Sequence, residues 1–136
     1  MSRDAAYILI ADDDPDDQEM LAERFLRLNP RARVEAVANG YEALSFLRDR
    51  HPGELPQLIV VDYKMPVLTG YDFLQAIKDN PRYAHIPKVV WSTSNNREYA
   101  DKCRQSGALE YFTKPHDVKG LDKVVEEISE LFRTAG

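Results

Sequence analysis

Short apolar runs rich in β-branched residues alternate with amphipathic stretches of helical spacing along nearly the whole chain, and this pattern repeats five times. The predicted strands are Tyr7–Ala11, Val34–Val37, Leu58–Val61, Lys88–Ser92 and Ala108–Thr113. Three of these strands read as continuously apolar, which favours a parallel sheet covered on both faces. Because crossovers between parallel strands are right-handed, the pattern predicts a doubly wound α/β domain whose functional site lies beyond the carboxyl ends of the strands.

The stretches that follow the strands carry helix start and stop signals. Asp14 can cap the first helix, Pro15 suits its first turn, and the helix is expected to end near Asn29. The three middle helices are predicted at about Tyr41–Asp49, Tyr71–Lys78 and Arg97–Gln105. Asp117 is expected to cap the last helix. An apolar stripe on that helix predicts packing on the sheet and consists of Leu121, Val124, Val125, Ile128, Leu131 and Phe132.

Length and composition predict a single domain over residues 1–136, since 136 residues with 43% hydrophobic content suffice for one core. The formal net charge is -5 and no segment clusters Lys and Arg, which argues against nucleic acid as a partner. No signal-peptide pattern and no membrane-length apolar run occurs, so we expect a cytoplasmic protein that does not bind a membrane.

Cys103 is the only cysteine, and its neighbours Lys102 and Arg104 predict an exposed helix face and a thiol without a redox role.

Five of the six residues in segment 12–17 are acidic, and this segment directly follows the first predicted strand. Crowded carboxylates repel one another by roughly 3 kcal/mol per pair at about 5 Å and an effective dielectric constant near 20, so the cluster requires a cation. Asp14, Asp16 and Asp17 are predicted to cap the next helix and complement its dipole rather than bind metal. A calcium loop is disfavoured because Pro15 interrupts it and Asp17 stands where such a loop requires glycine.

Polar side chains stand at the ends of four predicted strands. They are Asp12 and Asp13 after the first strand, Asp62 after the third, Ser92 at the end of the fourth and Lys114 after the fifth. Because parallel strands end at the same edge of a sheet, these side chains should meet in one crevice. A carboxylate there is expensive to bury alone, so a functional role for Asp62 is favoured over loop capping. For Ser92, a hydrogen-bonded strand hydroxyl without a special role remains an open interpretation.

Four segments of the chain resemble the receiver domain of two-component response regulators. They are ILIADDD at residues 8–14, LIVVDYKMPVLTG at 58–70, VVWSTS at 89–94 and GALEYFTKP at 107–115. The likeness covers nearly the whole chain, and its specificity lies in the combination of an acidic pair, an aspartate ending an apolar strand, a later hydroxyl residue and a Lys-Pro pair. The resemblance implies a flavodoxin-like receiver fold with strand order 2-1-3-4-5.

The same resemblance implies a chemical role for each residue at a strand end. Asp62 would accept a phosphoryl group from a phosphohistidine on a histidine kinase or phosphotransfer protein. Lys114 would neutralise charge on the phosphoryl oxygens, and the Ser92 hydroxyl would donate a hydrogen bond to one of them. The implied ligands of Mg²⁺ are Asp12 through a water, Asp13, Asp62 and the main-chain carbonyl of Lys64. Such a domain catalyses its own phosphorylation and slow dephosphorylation, so it is not expected to be a turnover enzyme.

A conformational switch is also implied by the resemblance. Ser92 would move toward the phosphoryl group while Tyr111 turns inward, which changes an output face made by the fourth helix, the last strand and the last helix, with Tyr99. Tyr111 could equally be an ordinary core aromatic. The Lys114–Pro115 bond resembles the family's cis peptide. Trp91 points away from Ser92, to the other face of the sheet, and is predicted to be core.

The expected biological setting is that of a stand-alone receiver that acts on another protein, since only four residues follow Phe132. The segments ADDDPDD and KPHD look most like small regulators that serve as phosphoryl shuttles or as partners of phytochrome-type and hybrid kinases, with chemotaxis regulators as the alternative.

A receiver-like scaffold that binds partners without phosphorylation is the main alternative function. A flavin site is disfavoured because the acidic loop would repel phosphate, and an aspartyl phosphatase because Lys64 stands where a second acid is needed. Homodimerisation stays open.

Overall fold

The computed structural model describes residues 6–135, which form a central five-stranded sheet with helices on both faces. The elements in chain order are β1 (Tyr7–Ala11), α1 (Pro15–Leu28), β2 (Arg33–Val37), α2 (Gly40–Arg48), a single 3-10 turn (Pro52–Glu54), β3 (Leu58–Asp62), α3 (Gly70–Ile77), β4 (Lys88–Ser92), α4 (Arg97–Gln105), β5 (Glu110–Thr113) and α5 (Val118–Ala135). All neighbouring strands pair in parallel in the order β2-β1-β3-β4-β5. The predicted fold class and strand order are therefore confirmed.

Two apolar cores lie on opposite faces of the sheet because successive strand side chains point to alternate sides. Leu9 and Val90 pack in the core beneath α2, α3 and α4, whereas Ile10 and Trp91 pack in the core beneath α1 and α5. Each fully buried large apolar side chain contributes about 1.5–3 kcal/mol relative to an exposed one. Trp91 is 2% exposed, which confirms its prediction as a core residue.

Side-chain caps fix where the first and last helices begin. The Asp14 carboxylate accepts hydrogen bonds from the backbone N–H groups of Asp16 and Asp17, and Pro15 occupies the first helical position, as predicted. Asp117 accepts from the N–H of Gly120 at 2.7 Å, which confirms the predicted cap of α5. Both caps direct the chain from the carboxyl edge of the sheet back along its face.

β5 begins at Glu110, two residues later than the predicted start at Ala108. The delay comes from the end of α4, where Gly107 adopts a φ of 103°. The N–H of Ala108 then donates to the carbonyl of Cys103 at 3.1 Å and closes the helix before the strand can start.

The predicted exposure of Cys103 was wrong. Cys103 is fully buried, and with Ala100 it forms the face of α4 that packs on the sheet, one helical turn apart. Lys102 and Arg104 flank it in sequence but lie on other sides of the helix, so they carry no information about its exposure. Burial raises the pKa of the Cys103 thiol to about 11, which keeps it protonated near neutral pH.

Candidate functional site

Asp12, Asp13, Asp62 and Lys114 meet at the carboxyl edge of the sheet, as predicted. One carboxylate oxygen from each of the three aspartates lies within 4.8 Å of the others. The Nζ atom of Lys114 lies 2.9 Å from Oδ2 of Asp12 and 3.0 Å from Oδ2 of Asp62. Adjacent parallel strands β1 and β3 place the two buried aspartates side by side, and the loop after β5 brings in the lysine.

Asp17 is a third partner of Lys114, and the sequence did not indicate this contact. Its Oδ2 atom lies 2.8 Å from Nζ, the shortest of the three lysine–carboxylate distances. Asp17 belongs to the first turn of α1, which the Asp14 cap holds in place. A lysine ammonium has three N–H donors, so Lys114 can offer one to each carboxylate.

The site places the buried carboxylates of Asp12 and Asp62 and the partly exposed carboxylate of Asp17 around the positive charge of Lys114. Burial raises the pKa of Asp12 to about 6, against the opposing hydrogen bond from the Asp14 backbone. Burial likewise raises the pKa of Asp62, although Lys114 pulls it down. Burial alone would lower the pKa of Lys114, but its hydrogen bonds to Asp17 and Asp12 and its attraction to Asp62 raise it. The site therefore favours any further positive charge.

Backbone hydrogen bonds orient both buried carboxylates. Oδ1 of Asp12 accepts from the N–H of Asp14 at 2.9 Å, and Oδ1 of Asp62 accepts from the N–H of Lys64 at 3.1 Å. Gln18 on α1 also holds the end of β1, because its side-chain amide donates to the backbone carbonyl of Asp12 at 2.5 Å. No sequence pattern indicated this role of Gln18, since an isolated glutamine in a helix is ordinarily exposed.

Gly70 packs directly against the backbone of Asp62 and Tyr63. Its N–H donates to the carbonyl of Tyr63 at 2.9 Å, and a Cβ atom at this position would lie 2.5 Å from the backbone oxygen of Asp62. Thr69 and Asp72 form a capping box that starts α3 at this point. The first turn of α3 is therefore in direct contact with the backbone that carries Asp62.

The predicted switch residues Ser92 and Tyr111 lie on the neighbouring strands β4 and β5. Ser92 is fully buried at the end of β4, and its carbonyl accepts from the N–H of Lys114 at 2.6 Å. Tyr111 is turned inward, and its hydroxyl donates to the carbonyl of Ser94 at 2.8 Å. Burial raises the pKa of Tyr111, and a hydrogen bond with Ser92 opposes that rise. With 9% exposure, Tyr111 contributes little accessible surface to the predicted output face.

An aromatic cluster links the Asp62 loop to α4. The Tyr63 ring stacks on the Tyr99 ring with centroids 4.3 Å apart, and it meets the Tyr111 ring edge-on at 6.4 Å. Lys102 of α4 lies over two of these rings, with Nζ 5.6 Å from the centroids of Tyr63 and Tyr99. Because Tyr63 directly follows Asp62, this stacking connects the residue next to Asp62 with α4.

The Lys114–Pro115 peptide bond is trans, so the predicted cis bond was wrong. No cis peptide bond occurs within residues 6–135. The trans form of a bond before proline is favoured by about 0.5–1 kcal/mol. With this trans bond, the lysine side chain already reaches Asp12, Asp17 and Asp62.

The donor set fits a hard divalent cation. Mg²⁺ prefers carboxylate, carbonyl and water oxygens, and Asp12, Asp13 and Asp62 supply three carboxylates in one cluster. Asp12 and Asp62 are buried, whereas Asp13 is exposed, so one side of the cluster faces solvent. Within the described part of the chain this is the one such cluster, and neither histidine nor cysteine belongs to it.

The family model for the response regulator receiver domain matches residues 8–126 of the chain. The chain belongs to this family. The family resemblance predicted from the sequence is thereby confirmed, and the fold described above is that of a receiver domain.

Relatives and solved structures of this receiver domain cover nearly its full length. Two-component response regulator ORR12 of Oryza sativa subsp. japonica is 36% identical over 122 residues, which are 90% of this chain and 97% of the relative. The phosphorylated cyanobacterial phytochrome response regulator RcpA matches with a TM-score of 0.86 and 27% identity over 96% of both chains. The Mn²⁺-bound form of response regulator Rcp1 matches with a TM-score of 0.81 and 28% identity, over 93% of this chain and 94% of that one.

Membership of this family sets the general function. Receiver domains of two-component response regulators take part in phosphorelay signalling with histidine kinases or phosphotransfer proteins, and they are not turnover enzymes. Receiver domains also bind Mg²⁺ at an acidic pocket, with which the aspartate cluster of this receiver domain is consistent. None of the helices within residues 6–135 has the length and apolar character needed to cross a membrane.

Proposed function

We propose that this receiver domain accepts a phosphoryl group on Asp62 from a phosphohistidine of a kinase or phosphotransfer protein, and that it signals through altered protein contacts. The observation that carries the proposal is the convergence of Asp62 with Lys114 and the other two clustered aspartates. A scaffold that only binds partners would have no need to bury Asp62, which is 3% exposed, beside a second buried carboxylate.

The proposed transfer uses Asp62 as the nucleophile. A carboxylate oxygen of Asp62 forms a bond to phosphorus while the bond from phosphorus to the donor histidine nitrogen breaks, and that nitrogen keeps the electron pair. Lys114 and the Ser92 hydroxyl would then donate hydrogen bonds to phosphoryl oxygens. Mg²⁺ held by Asp12 through a water, by Asp13 and Asp62, and by the main-chain carbonyl of Lys64 would neutralise phosphoryl charge.

The proposed setting is a small cytoplasmic regulator that works with a phytochrome-type or hybrid kinase and passes its signal to another protein. The fit to RcpA, with a TM-score of 0.86, exceeds the fit to the chemotaxis regulator CheY4 of Vibrio cholerae, with 0.75. The face formed by α4, β5 and α5 is the proposed output surface, because Tyr99 joins it to Asp62 through the aromatic cluster. That surface could serve a downstream protein or a second copy of the chain.

The acceptor role of Asp62 is tested by phosphate incorporation from a small acyl-phosphate donor in the presence of Mg²⁺. We expect the native protein to take up phosphate and Asp62→Asn to take up none, because the amide cannot act as the nucleophile. Asp79→Asn is the matched control, since Asp79 is exposed and follows α3 at the opposite end of the sheet. Equal incorporation in the native protein and Asp62→Asn would refute the proposal, and no incorporation in either would favour the scaffold.

Mg²⁺ is expected to raise the melting temperature of the metal-free protein, because a ligand bound only by the folded state stabilises that state. A tenfold excess over the dissociation constant corresponds to about 1.4 kcal/mol, or roughly 3–5 °C for a domain of this size. Asp13→Asn should reduce the rise, whereas Asp79→Asn should leave it unchanged. Thermal unfolding with and without millimolar Mg²⁺ measures this, and an undiminished rise in Asp13→Asn would remove Asp13 from the ligand set.

A further inference from the structure

Asp17 contacts Lys114 without belonging to the aspartate cluster. Its Oδ2 atom lies 2.8 Å from Nζ, and the two side chains are 24% and 9% exposed. The cluster that could hold a metal ion consists of Asp12, Asp13 and Asp62. The Asp17–Lys114 pair is therefore better shielded from solvent than an ordinary surface ion pair. Because Asp17 is not a member of the cluster, its carboxylate remains available to pair with Lys114.

We propose that Asp17 is a positioning residue that keeps Lys114 in the site when a divalent cation binds the aspartate cluster. This inference rests on the proposed function. Two of the three carboxylates around Nζ, those of Asp12 and Asp62, are members of the cluster. A cation bound there neutralises these two partners and repels the ammonium. Asp17 is then the remaining carboxylate that holds the lysine.

The position of Asp17 on α1 suits this role. Asp17 lies in the first turn, where the helix dipole favours a negative charge, and the Asp14 cap binds its backbone N–H at 3.3 Å. The turn is further anchored by Gln18, whose side-chain amide donates to the carbonyl of Asp12, directly after β1, and to that of Val37 at the end of β2. The carboxylate of Asp17 is thus mounted on a rigid element rather than on the loop that carries Lys114.

The number of donors on Lys114 gives Asp17 a direct effect on phosphorylation. With one N–H of the ammonium held by Asp17, the other two are available to phosphoryl oxygens on Asp62. Reaction rates fall steeply when a charge-neutralising group is misplaced by as little as about 1 Å. Loss of Asp17 should therefore slow the acceptance of a phosphoryl group without removing any of the groups that contact it.

Asp17→Asn and Asp16→Asn form a matched pair for the test. Both substitutions remove one negative charge from the first turn of α1. Asp16 is exposed, however, and the carboxylates that pair with Lys114 in the described part of the chain are those of Asp12, Asp17 and Asp62. The assay is the initial rate of phosphate incorporation from acetyl phosphate at saturating Mg²⁺. We expect Asp17→Asn to react about tenfold more slowly than the native protein and Asp16→Asn to stay within about twofold of it.

Trp91 supplies a second readout that needs no phosphorylation. It is the only tryptophan, and its ring centroid lies 4.9 Å from Nζ of Lys114. Addition of Mg²⁺ should change Trp91 emission more in Asp17→Asn than in the native protein, because the untethered ammonium leaves the ring. In a Lys114→Met background, Asp17→Asn should have no effect on the response to Mg²⁺.

A rate loss confined to Asp17→Asn, together with a Trp91 response that depends on Lys114, supports the inference. Equal rates in Asp17→Asn and Asp16→Asn, or an effect of Asp17→Asn on Trp91 emission that persists without Lys114, overturns it. Absence of phosphate incorporation in the native protein would defeat the proposed function instead. In that case the Trp91 comparison alone decides whether Asp17 holds Lys114 against the metal ion.

Discussion

Lys114→Met is expected to lower the free energy of unfolding by about 3–5 kcal/mol at pH 7.5 without Mg²⁺, because it leaves buried charges unpaired. The lysine side chain is 9% exposed, and its Nζ atom lies within 3.0 Å of the carboxylates of Asp12, Asp17 and Asp62. The carboxylates of Asp12 and Asp62 are almost fully buried. Methionine fills similar volume but cannot neutralise Asp12 or Asp62. Urea unfolding at fixed pH measures the loss.

The cost of Lys114→Met should shrink as the pH falls toward about 5. Burial raises the pKa of Asp12 to about 6 and also raises that of Asp62, whereas an aspartate in the unfolded chain titrates near about 3.9. Between these values the folded state binds more protons, so the contribution of these groups to stability falls as the pH rises. Without Lys114 both pKa values rise further, and mild acid then neutralises the charges that the lysine balanced.

Mg²⁺ should recover part of the stability of Lys114→Met, since a cation in the cluster replaces the missing positive charge. Lys119→Met is the control, because Lys119 is exposed in the first turn of α5 and should lose no more than about 0.5 kcal/mol. A loss for Lys114→Met that is below about 1 kcal/mol, or is independent of pH between 5 and 7.5, would contradict the electrostatic account of the site.

Gly70→Ala is expected to destabilise the fold by about 2–4 kcal/mol, because an added Cβ atom would overlap backbone that cannot move freely. The Cβ atom would lie 2.5 Å from the Asp62 carbonyl oxygen and 2.9 Å from the Tyr63 Cα atom. Relief of the overlap requires α3 to shift away from β3 or the Asp62 backbone to shift toward the site. The second movement should reduce phosphate incorporation by about 100-fold, since a misplacement of about 1 Å can have that effect.

Gly53→Ala separates this clash from the general effect of replacing glycine. Gly53 lies in the 3-10 turn before β3, and an added Cβ atom there would meet no atom within 4 Å. Its stability should change by no more than about 0.5 kcal/mol. Urea unfolding and the incorporation assay are made on both variants. A Gly70→Ala protein of native stability and native incorporation would show that the contact behind Asp62 has no role in placing it.

The sequence predicted most of the fold because each strand and helix carried its own local signal. Continuous apolar runs marked β1, β3 and β4, and caps such as Asp14 and Asp117 marked where helices begin. The meeting of Asp12, Asp62 and Lys114 followed from topology alone, since parallel strands end at one edge. No comparable rule placed the Lys114–Pro115 bond in the trans form, which depends on the conformation of a single loop.

The contacts of the site that were not predicted depend on side-chain direction rather than on position in the chain. Asp17 looked like one more acidic residue of a first helical turn, and only its rotamer brings it to Lys114. The burial of Lys88 at the start of β4 was likewise not predicted. Its chain is buried, its ammonium donates to the carbonyl of Ala84 at 3.2 Å, and burial lowers its pKa. A lysine at a strand end is normally solvated, so the pattern gave no reason to expect this burial.

The two outer strands limit how molecules of this kind can associate. β2 and β5 form the edges of the sheet and are only five and four residues long. Arg33 and Glu35 pair along the first edge, and Glu110 pairs with Arg104 beside the second. A foreign strand that tried to add to either edge would have to displace these ion pairs from a very short backbone template. We therefore expect little pairing between the sheets of neighbouring molecules even at high protein concentration. Any reversible association of this protein should instead use its helices and loops.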